Sequence, residues 1–233
     1  MGGQACVFYG AAQVSKDVDL VLLSGAGNFE KLHAALKALN ARRIAVPPFD
    51  PETLARGHAV HFRCAAAGVE DLRIDVMTRL RDLPDFAVLW ERRTVIADEG
   101  QGEFHLLSIP DLVDAKKTQR SKDWPIIELL VAIHYRENGQ TPRSDWKEFW
   151  LREARSIELL AELVQRFPTE AQAQSEHRPL LRLVTAGRSE ALREALDAEV
   201  RAEQAKDRAY WAPLKAELEA FRRAEREGRN PEG

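Results

Sequence analysis

The amino-acid sequence predicts an α+β fold that is extended at its C-terminal end by a region made only of helices. Up to about residue 110, short runs of alternating or continuous apolar residues, typical of strands, are interleaved with short helical patterns. From there onward, apolar residues recur at helical spacing almost to the end of the chain. A turn-forming segment at residues 138–142 interrupts the helices. We therefore predict an α+β domain over residues 1–138 and a helical domain over residues 139–233.

The first predicted elements are a helix, a strand and a second helix. A short helix is expected over residues 2–10, starting at a glycine pair. Residues 17–23 alternate polar and apolar side chains and then become fully apolar, as in a half-buried strand. After a glycine turn, Asn28 is predicted to cap a helix. The apolar side chains of that helix recur at helical spacing: Phe29, Leu32, Leu36 and Leu39.

Two further strands follow a proline-rich loop at residues 46–51. Residues 59–65 alternate cleanly, with His61 and Arg63 on the outward side. Residues 72–77 form the second strand, and the short connection between the two suits a hairpin. These strands are expected to be neighbours in one sheet.

The next elements are smaller. A helix is predicted over residues 85–92, followed by short strands over residues 94–97 and 104–107. Ser108 then begins a helix in which Asp111, three residues on, completes a capping box.

The rest of the chain is predicted to be helical. Residues 124–135 form a strongly apolar helix, and about three more helices follow, with Trp146 and Trp150 in their core. Pro213 is expected to kink or split the last long helix, because proline removes a backbone donor. The tail over residues 226–233 is expected to fray.

Composition limits the function classes. The chain has 233 residues, of which 45% are apolar, enough to bury a substantial core. No stretch approaches the roughly 18 continuous apolar residues of a membrane span, and no secretory signal pattern is present, so we expect a cytoplasmic protein without membrane association. The net charge of −3, with both signs evenly spread, argues against binding long duplex nucleic acid. Cys6 and Cys64 are expected to be buried free thiols.

Three acidic residues and a glycine pair indicate chemistry. Asp17 and Asp19 alternate on one predicted strand, so their carboxylates point to the same side. Asp75, between two apolar residues on another strand, is the natural third ligand, because an inward carboxylate is costly unless something pairs with it. Such carboxylates can share one or two Mg²⁺ or Mn²⁺ ions with triphosphate oxygens. Gly2 and Gly3 at a helix start would let phosphates approach backbone N–H groups.

This pattern resembles that of a known family. Gly2-Gly3, thirteen further residues, Asp17-Val18-Asp19-Leu20 and later Ile74-Asp75-Val76 resemble the signature of the polymerase-β-type nucleotidyltransferase superfamily. Residues 107–123 resemble the helix pair of small bacterial members, among them abortive-infection and toxin–antitoxin nucleotidyltransferases. The resemblance covers roughly residues 1–135. It implies a mixed sheet flanked by helices and metal-dependent transfer of a nucleotidyl group from a nucleoside triphosphate.

The resemblance also assigns roles to residues. It implies that the catalytic metal ligands are Asp17, Asp19 and Asp75. It implies that Gly2 and Gly3 bind the nucleotide and that the basic helix residue is Lys116 or Lys117. From their place after a helix start, Lys116, Lys117, Arg120 and Lys122 could all reach phosphates, and Ser15 and Lys16 are further nucleotide-binding candidates. Relatives often carry an Arg and a Thr just before the first acid, where this chain has residues 13–16 as Gln-Val-Ser-Lys. The serine can replace the threonine hydroxyl and the lysine can supply the charge. For the four basic residues after position 115, a solvated helix face remains the alternative.

Two functional hypotheses follow. The first is an enzyme that moves a nucleoside monophosphate group from a nucleoside triphosphate to an acceptor hydroxyl, with a protein or an RNA end favoured, within a toxin–antitoxin or phage-defence system. The second is a protein of the same fold with a decayed site that acts as a binding or regulatory partner. In either case the C-terminal helices offer a surface for a macromolecule or for oligomerisation. His61 and His105 are expected to be surface residues, and Asp123 is expected to pair with a nearby Lys or Arg.

Overall fold

The computed structural model describes residues 1–100 and 102–229, and it confirms the predicted α+β class with an all-helical C-terminal region that ends in a long helix. The chain forms two compact units. One consists of residues 1–115 together with the chain from residue 208, and the other of residues 116–207. The predicted boundary between residues 138 and 139 falls inside the second unit, and it stays a prediction.

The elements of the first part of the chain match the predicted pattern closely. In chain order they are α1 (Gly2–Phe8), β1 (Asp17–Val21), α2 (Ala26–Ala38), β2 (Arg42–Arg43), α3 (Pro51–Ala55), β3 (Val60–Arg63), β4 (Arg73–Met77), α4 (Phe86–Arg92), β5 (Thr94–Asp98), β6 (Gly102–Leu106) and α5 (Ile109–Lys116).

A mixed four-stranded sheet organises the first unit, with strand order β1-β4-β3-β2. β1 runs parallel to β4, whereas β3 is antiparallel to both β4 and β2. The β3–β4 pairing confirms the predicted hairpin. β5 and β6 pair antiparallel in a separate two-stranded sheet.

The two faces of the four-stranded sheet differ in chemistry. One face packs against α2 and α3. Its side chains belong to one hydrophobic core, which includes Val18, Leu20, Phe29, Leu36, Leu54, Val60, Phe62, Ile74 and Val76. Because strand side chains alternate, the residues between them lie on the opposite face. We call this opposite face the polar face. It carries Asp17, Asp19, His61, Arg73 and Asp75.

Local capping shows where the sequence rules hold and where they fail. Ser108 caps α5 as predicted: the backbone N–H of Asp111 donates to its Oγ at 3.3 Å, and the hydroxyl donates back to Asp111 Oδ2 at 2.6 Å. The prediction for Asn28 is wrong. α2 begins at Ala26, three residues earlier than predicted, with Gly25 at the N-cap position, and the Asn28 amide instead donates to the carbonyl of Leu23 at 3.0 Å.

Two short elements fall within or beside regions predicted as loop. β2 spans only two residues, and α3 begins at Pro51, at the end of the predicted proline-rich loop. Asp50 caps α3 by accepting the backbone N–H of Thr53 at 2.8 Å. An aspartate before a proline at the first helical position is a helix start signal. The nearby prolines at positions 47 and 48 led to the prediction of a loop here instead.

The helices that follow are more numerous than predicted. After a 3₁₀ turn at Ser121–Asp123 come α6 (Trp124–Asn138), α7 (Ser144–Glu153), α8 (Ile157–Arg166), α9 (Pro168–Gln174), α10 (Leu181–Thr185) and α11 (Ser189–Arg229). Trp150 is fully buried, as predicted, whereas Trp146 is half-buried.

The long helix α11 corrects one part of a second prediction, since Pro213 was expected to kink or split the last helix and the helix is not split there. It continues through Pro213 without a break. The neighbouring side chains of Tyr210 and Leu214 lie against Gly57 of the same unit. The predicted fraying tail is helical as far as Arg229, and the last four residues lie outside the described part of the chain.

Within the described residues, no helix combines the length and the apolar character needed to cross a membrane.

Candidate functional site on the polar face of the sheet

The register of β1 and β4 brings the three predicted acids to one face. Asp19 lies directly opposite Asp75, and Asp17 lies opposite Arg73. Neighbouring strands lie about 4.8 Å apart, so residues paired in register present their side chains side by side. The orientation that the site requires is therefore present: Asp75 faces the same side as Asp17 and Asp19.

Asp75 is the most heavily engaged of the three carboxylates, and its side chain is 13% exposed. Arg73 donates from Nε to Asp75 Oδ1 at 2.7 Å and from a terminal nitrogen to Oδ2 at 2.9 Å, a bidentate pair. His61 Nδ1 lies 2.8 Å from Asp75 Oδ1. Two groups on the polar face thus already hold the proposed third metal ligand.

These contacts favour the charged forms of both Asp75 and Arg73. Burial alone would raise the pKa of Asp75, but the hydrogen bonds and charges of His61 and Arg73 hold the pKa of that carboxyl below its ordinary value. The hydrogen bond to Asp75 raises the pKa of the Arg73 guanidinium, and the charges of Asp75, Asp17 and Asp19 act in the same direction. Arg73 is therefore the direct counter-ion of Asp75.

The glycine pair lies directly against the second acid. The backbone N–H of Gly3 donates to Asp19 Oδ2 at 3.3 Å. Gly2 has a φ of +64°, and a Cβ at that position would overlap Asp19 Oδ2. The absence of a side chain at residue 2 is thus required twice, by backbone conformation and by the close approach of Asp19. The sequence predicted an approach of phosphate to these glycines, whereas the structure shows an approach of a carboxylate.

Ser15 supports the entry to β1. Its hydroxyl donates to the carbonyl of Asp17 at 3.0 Å, and a Cβ at Gly3 would overlap its Oγ. Lys16 is exposed beside it. Among the predicted phosphate ligands, Gly2 and Gly3 therefore lie at Asp19, and Ser15 lies at the start of β1.

The basic residues after position 115 are engaged elsewhere. Lys116 is buried and pairs with the buried Asp123 at 3.3 Å, and Arg120 pairs with the same carboxylate at 2.8 Å. This confirms the expectation that Asp123 pairs with a nearby Lys or Arg.

The other two basic residues of this predicted group, Lys117 and Lys122, differ in their contacts. Lys117 pairs at 2.7 Å with Glu153, which is 1% exposed, while Lys122 is exposed. Binding of phosphate by the three paired residues would require these ion pairs to open, and their nucleotide-binding role stays a prediction.

The donor chemistry of the polar face suits a hard divalent cation, since carboxylate oxygens are the ligands that Mg²⁺ prefers. Yet among the residues that the structure describes, no group of three or more His, Cys, Asp or Glu side chains is assembled closely enough to hold a metal ion. The three carboxylates share a face without converging. A cation that used all three would have to displace Arg73 from Asp75.

The sequence analysis did not identify the two residues that contact Asp75 on the polar face. Arg73 stands two residues before Asp75 on the same strand, and His61 is in register with Asp75 on β3. His61 is partly exposed, as predicted, but it contacts the candidate site. The alternation that placed Asp17 beside Asp19 also places Arg73 beside Asp75, so that signal was available.

No protein-family model, curated protein or solved structure matches this chain.

Proposed function

We propose that this protein is a metal-dependent nucleotidyltransferase of the polymerase-β type, which transfers a nucleoside monophosphate group from a nucleoside triphosphate to an acceptor hydroxyl. The single observation that carries the proposal is the shared facing of Asp17, Asp19 and Asp75 on adjoining parallel strands. The glycine pair that the resemblance assigns to phosphate binding lies beside the same acids, with the backbone N–H of Gly3 donating to Asp19 Oδ2.

Each residue of the polar face has a distinct task in this proposal. Asp17 and Asp19 would bind Mg²⁺ or Mn²⁺, and the backbone around Gly3 and Ser15 would position Asp19 and the start of β1. When bound, the cation would neutralise the triphosphate and polarise the phosphorus under attack. The lowered pKa of Asp75 keeps it ionised, which suits a metal ligand and makes it a weak general base.

Arg73 would exchange partners during this process. A divalent cation and the guanidinium compete for the same carboxylates, so metal binding would release Arg73 from Asp75. A released guanidinium on this face is suited to pairing with phosphate oxygens in a bidentate manner. The acceptor that we favour is a protein side chain or an RNA end, and a toxin–antitoxin or phage-defence role remains part of the proposal.

The test is transfer of label from radioactive nucleoside triphosphates, with Mg²⁺ or Mn²⁺, to proteins and RNAs. We expect Asp17→Asn and Asp19→Asn to lower the rate at least about 100-fold, since even residues behind metal ligands typically contribute about 10- to 100-fold. The matched control is Asp71→Asn, an exposed turn residue whose positive φ of 62° suits asparagine. Transfer that persists in the double variant Asp17→Asn/Asp19→Asn would refute the proposal.

One observation favours the rival function, a binding or regulatory module with a decayed site. Asp75 is fully engaged by Arg73 and His61, and the described acids do not form a three-ligand cluster. A decayed site predicts that Mg²⁺ and nucleoside triphosphate cause no thermal shift and that Asp17→Asn leaves partner binding unchanged. A shift that depends on both the metal and Asp17 would exclude this rival.

A further inference from the structure

An apolar cavity lies in the first unit, walled by the end of β1, by helix α4 and by the end of β6. It has a volume of about 540 Å³. Small-molecule sites are typically concave, mostly apolar and roughly 300–1,000 Å³ in volume. Among the described residues that line the cavity, all are apolar except Asn28, Arg93 and His105. The cavity therefore has the size and the lining of a ligand site.

The opening of the cavity is also apolar. Leu23 and Trp90 both line the cavity and remain 51% and 41% exposed, so they lie where it meets solvent. The Trp90 ring is fixed by Phe86, which stacks on it at 5.6 Å between ring centroids. A bound apolar molecule would remove these exposed side chains from water, and such burial is favourable.

A single cation, Arg93, is held against this apolar wall. Its guanidinium carbon lies 4.1 Å from the centre of the Trp90 ring. Its Nε donates to His105 Nδ1 at 3.2 Å, and one terminal nitrogen donates to the carbonyl of Trp90 at 2.6 Å. The other terminal nitrogen donates to none of the residues that the structure describes. A guanidinium oriented in this way, with donors to spare, suits an oxygen acceptor on a ligand.

The positive charge of Arg93 has no carboxylate partner among the ion pairs of the described residues. Because His105 Nδ1 accepts the hydrogen bond from Arg93, the proton of that ring lies on Nε2 and the ring is neutral. Glu103 lies 4.0 Å from this Nε2, on the other side of the ring from Arg93. An anionic group on a ligand would therefore supply the partner that Arg93 lacks.

We propose that this cavity binds a small apolar molecule that carries one anionic group, such as an aromatic carboxylic acid. The apolar body would lie against Trp90 and Leu23, and the carboxylate would accept hydrogen bonds from Arg93. The proposal goes beyond nucleotidyl transfer and does not depend on metal, since Asp17, Asp19 and Asp75 are not among the lining residues.

The experiment compares two ligands that share a ring system and differ in charge, naphthoate and the neutral naphthamide. Binding of each to the full chain is measured by calorimetry, in EDTA so that no divalent metal contributes. The shift of the Trp90 indole signal in NMR spectra reports whether the ligand lies in the cavity. We expect one naphthoate per chain, bound at least about 10-fold more tightly than naphthamide, the usual gain from a hydrogen bond to a charged group.

Three variants test the parts of the cavity. Arg93→Met removes the charge, so naphthoate binding should weaken about 10-fold or more while naphthamide binding changes little. Trp90→Ala removes part of the apolar wall and should weaken both ligands to a similar degree. Leu23→Asp guards against misfolding as an explanation, because Leu23 is half exposed. Its added carboxylate should weaken naphthoate more than naphthamide.

Each type of substitution has a matched control. Val88→Ala controls for Trp90→Ala, because Val88 lies on the same helix, is also 41% exposed and is not a lining residue. Arg42→Met controls for Arg93→Met, because Arg42 is an exposed residue of β2 outside the cavity lining. Both control variants should bind the two ligands as the wild-type protein does.

The outcomes that would overturn the proposal are distinct. Equal affinity for the two ligands, or no greater loss of naphthoate binding in Arg93→Met than in Arg42→Met, would remove the anion-binding role of Arg93. Absence of naphthoate binding would overturn the proposal as a whole. Self-association that Trp90→Ala abolishes, without naphthoate binding, would show that a second copy of the chain covers the cavity instead. Because metal is excluded, these results stand whether or not the protein transfers nucleotides.

Discussion

At the scale of single residues, the Arg73–Asp75 pair sets the properties of the polar face. Asp75 is 13% exposed and accepts two hydrogen bonds from one guanidinium. Removing a carboxylate from such a pair leaves a partly desolvated cation without its partner, which costs more than the pair itself contributes. The same residues therefore carry both stability and the proposed chemistry.

The variant Asp75→Asn tests this account. We expect the free energy of unfolding to fall by about 1–3 kcal/mol, because Arg73 and His61 lose a charged acceptor. Chemical denaturation measures the change. Asp71→Asn is the control, since the side chain of Asp71 is 83% exposed and such surface changes typically cost less than about 0.5 kcal/mol.

The pH dependence of the same variant has a defined sign. Because the folded-state pKa of Asp75 is lowered, its stabilising effect is complete above its ordinary pKa of 3.8 and is lost as the pH falls through the lower folded value. The stability difference between the wild-type protein and Asp75→Asn should therefore be constant near neutrality and shrink below about pH 4. A difference that grew on acidification would contradict the lowered pKa.

Gly2 gives a second test at the residue scale. Gly2→Ala should displace Asp19, because the new Cβ would overlap Asp19 Oδ2, and metal binding measured with Mn²⁺ should weaken. Gly10→Ala is a matched control: Gly10 also has a positive φ, of 76°, but nothing lies within contact distance of its added Cβ. Both variants lose stability from backbone strain, and only Gly2→Ala should impair metal binding. Equal impairment would show that strain alone is responsible.

Prediction of single residues from the sequence was correct where strand alternation alone decided the outcome. Strand alternation placed Asp17 and Asp19 together on one face. The inference that Asp75 faces inward was wrong, because its neighbours Ile74 and Val76 point into the core and Asp75 points away from it. The sequence could not show that Lys116 forms an ion pair with Asp123, because that pair depends on a turn that brings residues 116 and 123 together. Sequence spacing carries no information about which basic groups are already neutralised.

At the scale of elements, a buried histidine makes one of the contacts that attach the final part of α11 to the rest of the first unit. His58 is 1% exposed, and its Nε2 lies 2.9 Å from Glu217 Oε2, while Arg56 donates to the same oxygen at 3.0 Å. Surface ion pairs contribute little, but a buried ring nitrogen that loses its partner costs about 1–3 kcal/mol.

Glu217→Ala should therefore loosen this attachment. We expect faster hydrogen exchange in residues 208–229 and a loss of about 1–2 kcal/mol in unfolding free energy. Glu219→Ala is the control on the same helix, because Glu219 pairs only with the exposed Arg222 one turn away among the ion pairs described. Equal effects of the two variants would show that His58 does not depend on Glu217.

Element-level prediction was strongest for elements with their own capping or alternation signals. The Ser108–Asp111 box and the alternation of β3 and β4 identified their elements correctly. β2 escaped because two residues are too few to show a period. α11 was expected to kink or split at Pro213, and it is not split there.

At the scale of the whole molecule, the second compact unit contains a buried histidine packed among aromatic rings. This histidine is His134, whose Nδ1 accepts a hydrogen bond from Trp150 Nε1 at 2.8 Å. The rings of Trp146 and Phe149 lie against it at 5.6 and 5.2 Å. Burial among these rings lowers the pKa of His134 to about 4.

This lowered pKa predicts an acid-sensitive helical unit. The folded state excludes a proton that the unfolded chain binds below its pKa of 6.5, so stability should decline as the pH falls from about 6.5 to about 4. The full effect is about 3 kcal/mol. Denaturation curves between pH 7 and 4 should show this slope in the wild-type protein and in His177→Gln, an exposed control, and a flatter slope in His134→Phe. An identical slope in His134→Phe would exclude His134 as the cause.

The central proposal concerns the polar face as a whole: we propose that acids from two parallel strands bind a divalent cation together with a triphosphate. The most direct measurement is electron paramagnetic resonance of Mn²⁺ titrated with the protein and a non-hydrolysable nucleoside triphosphate analogue. We predict a bound Mn²⁺ signal that requires the nucleotide and disappears in Asp17→Asn/Asp19→Asn. A signal of equal strength in the wild-type and double-variant proteins, or none in either, would contradict the claim.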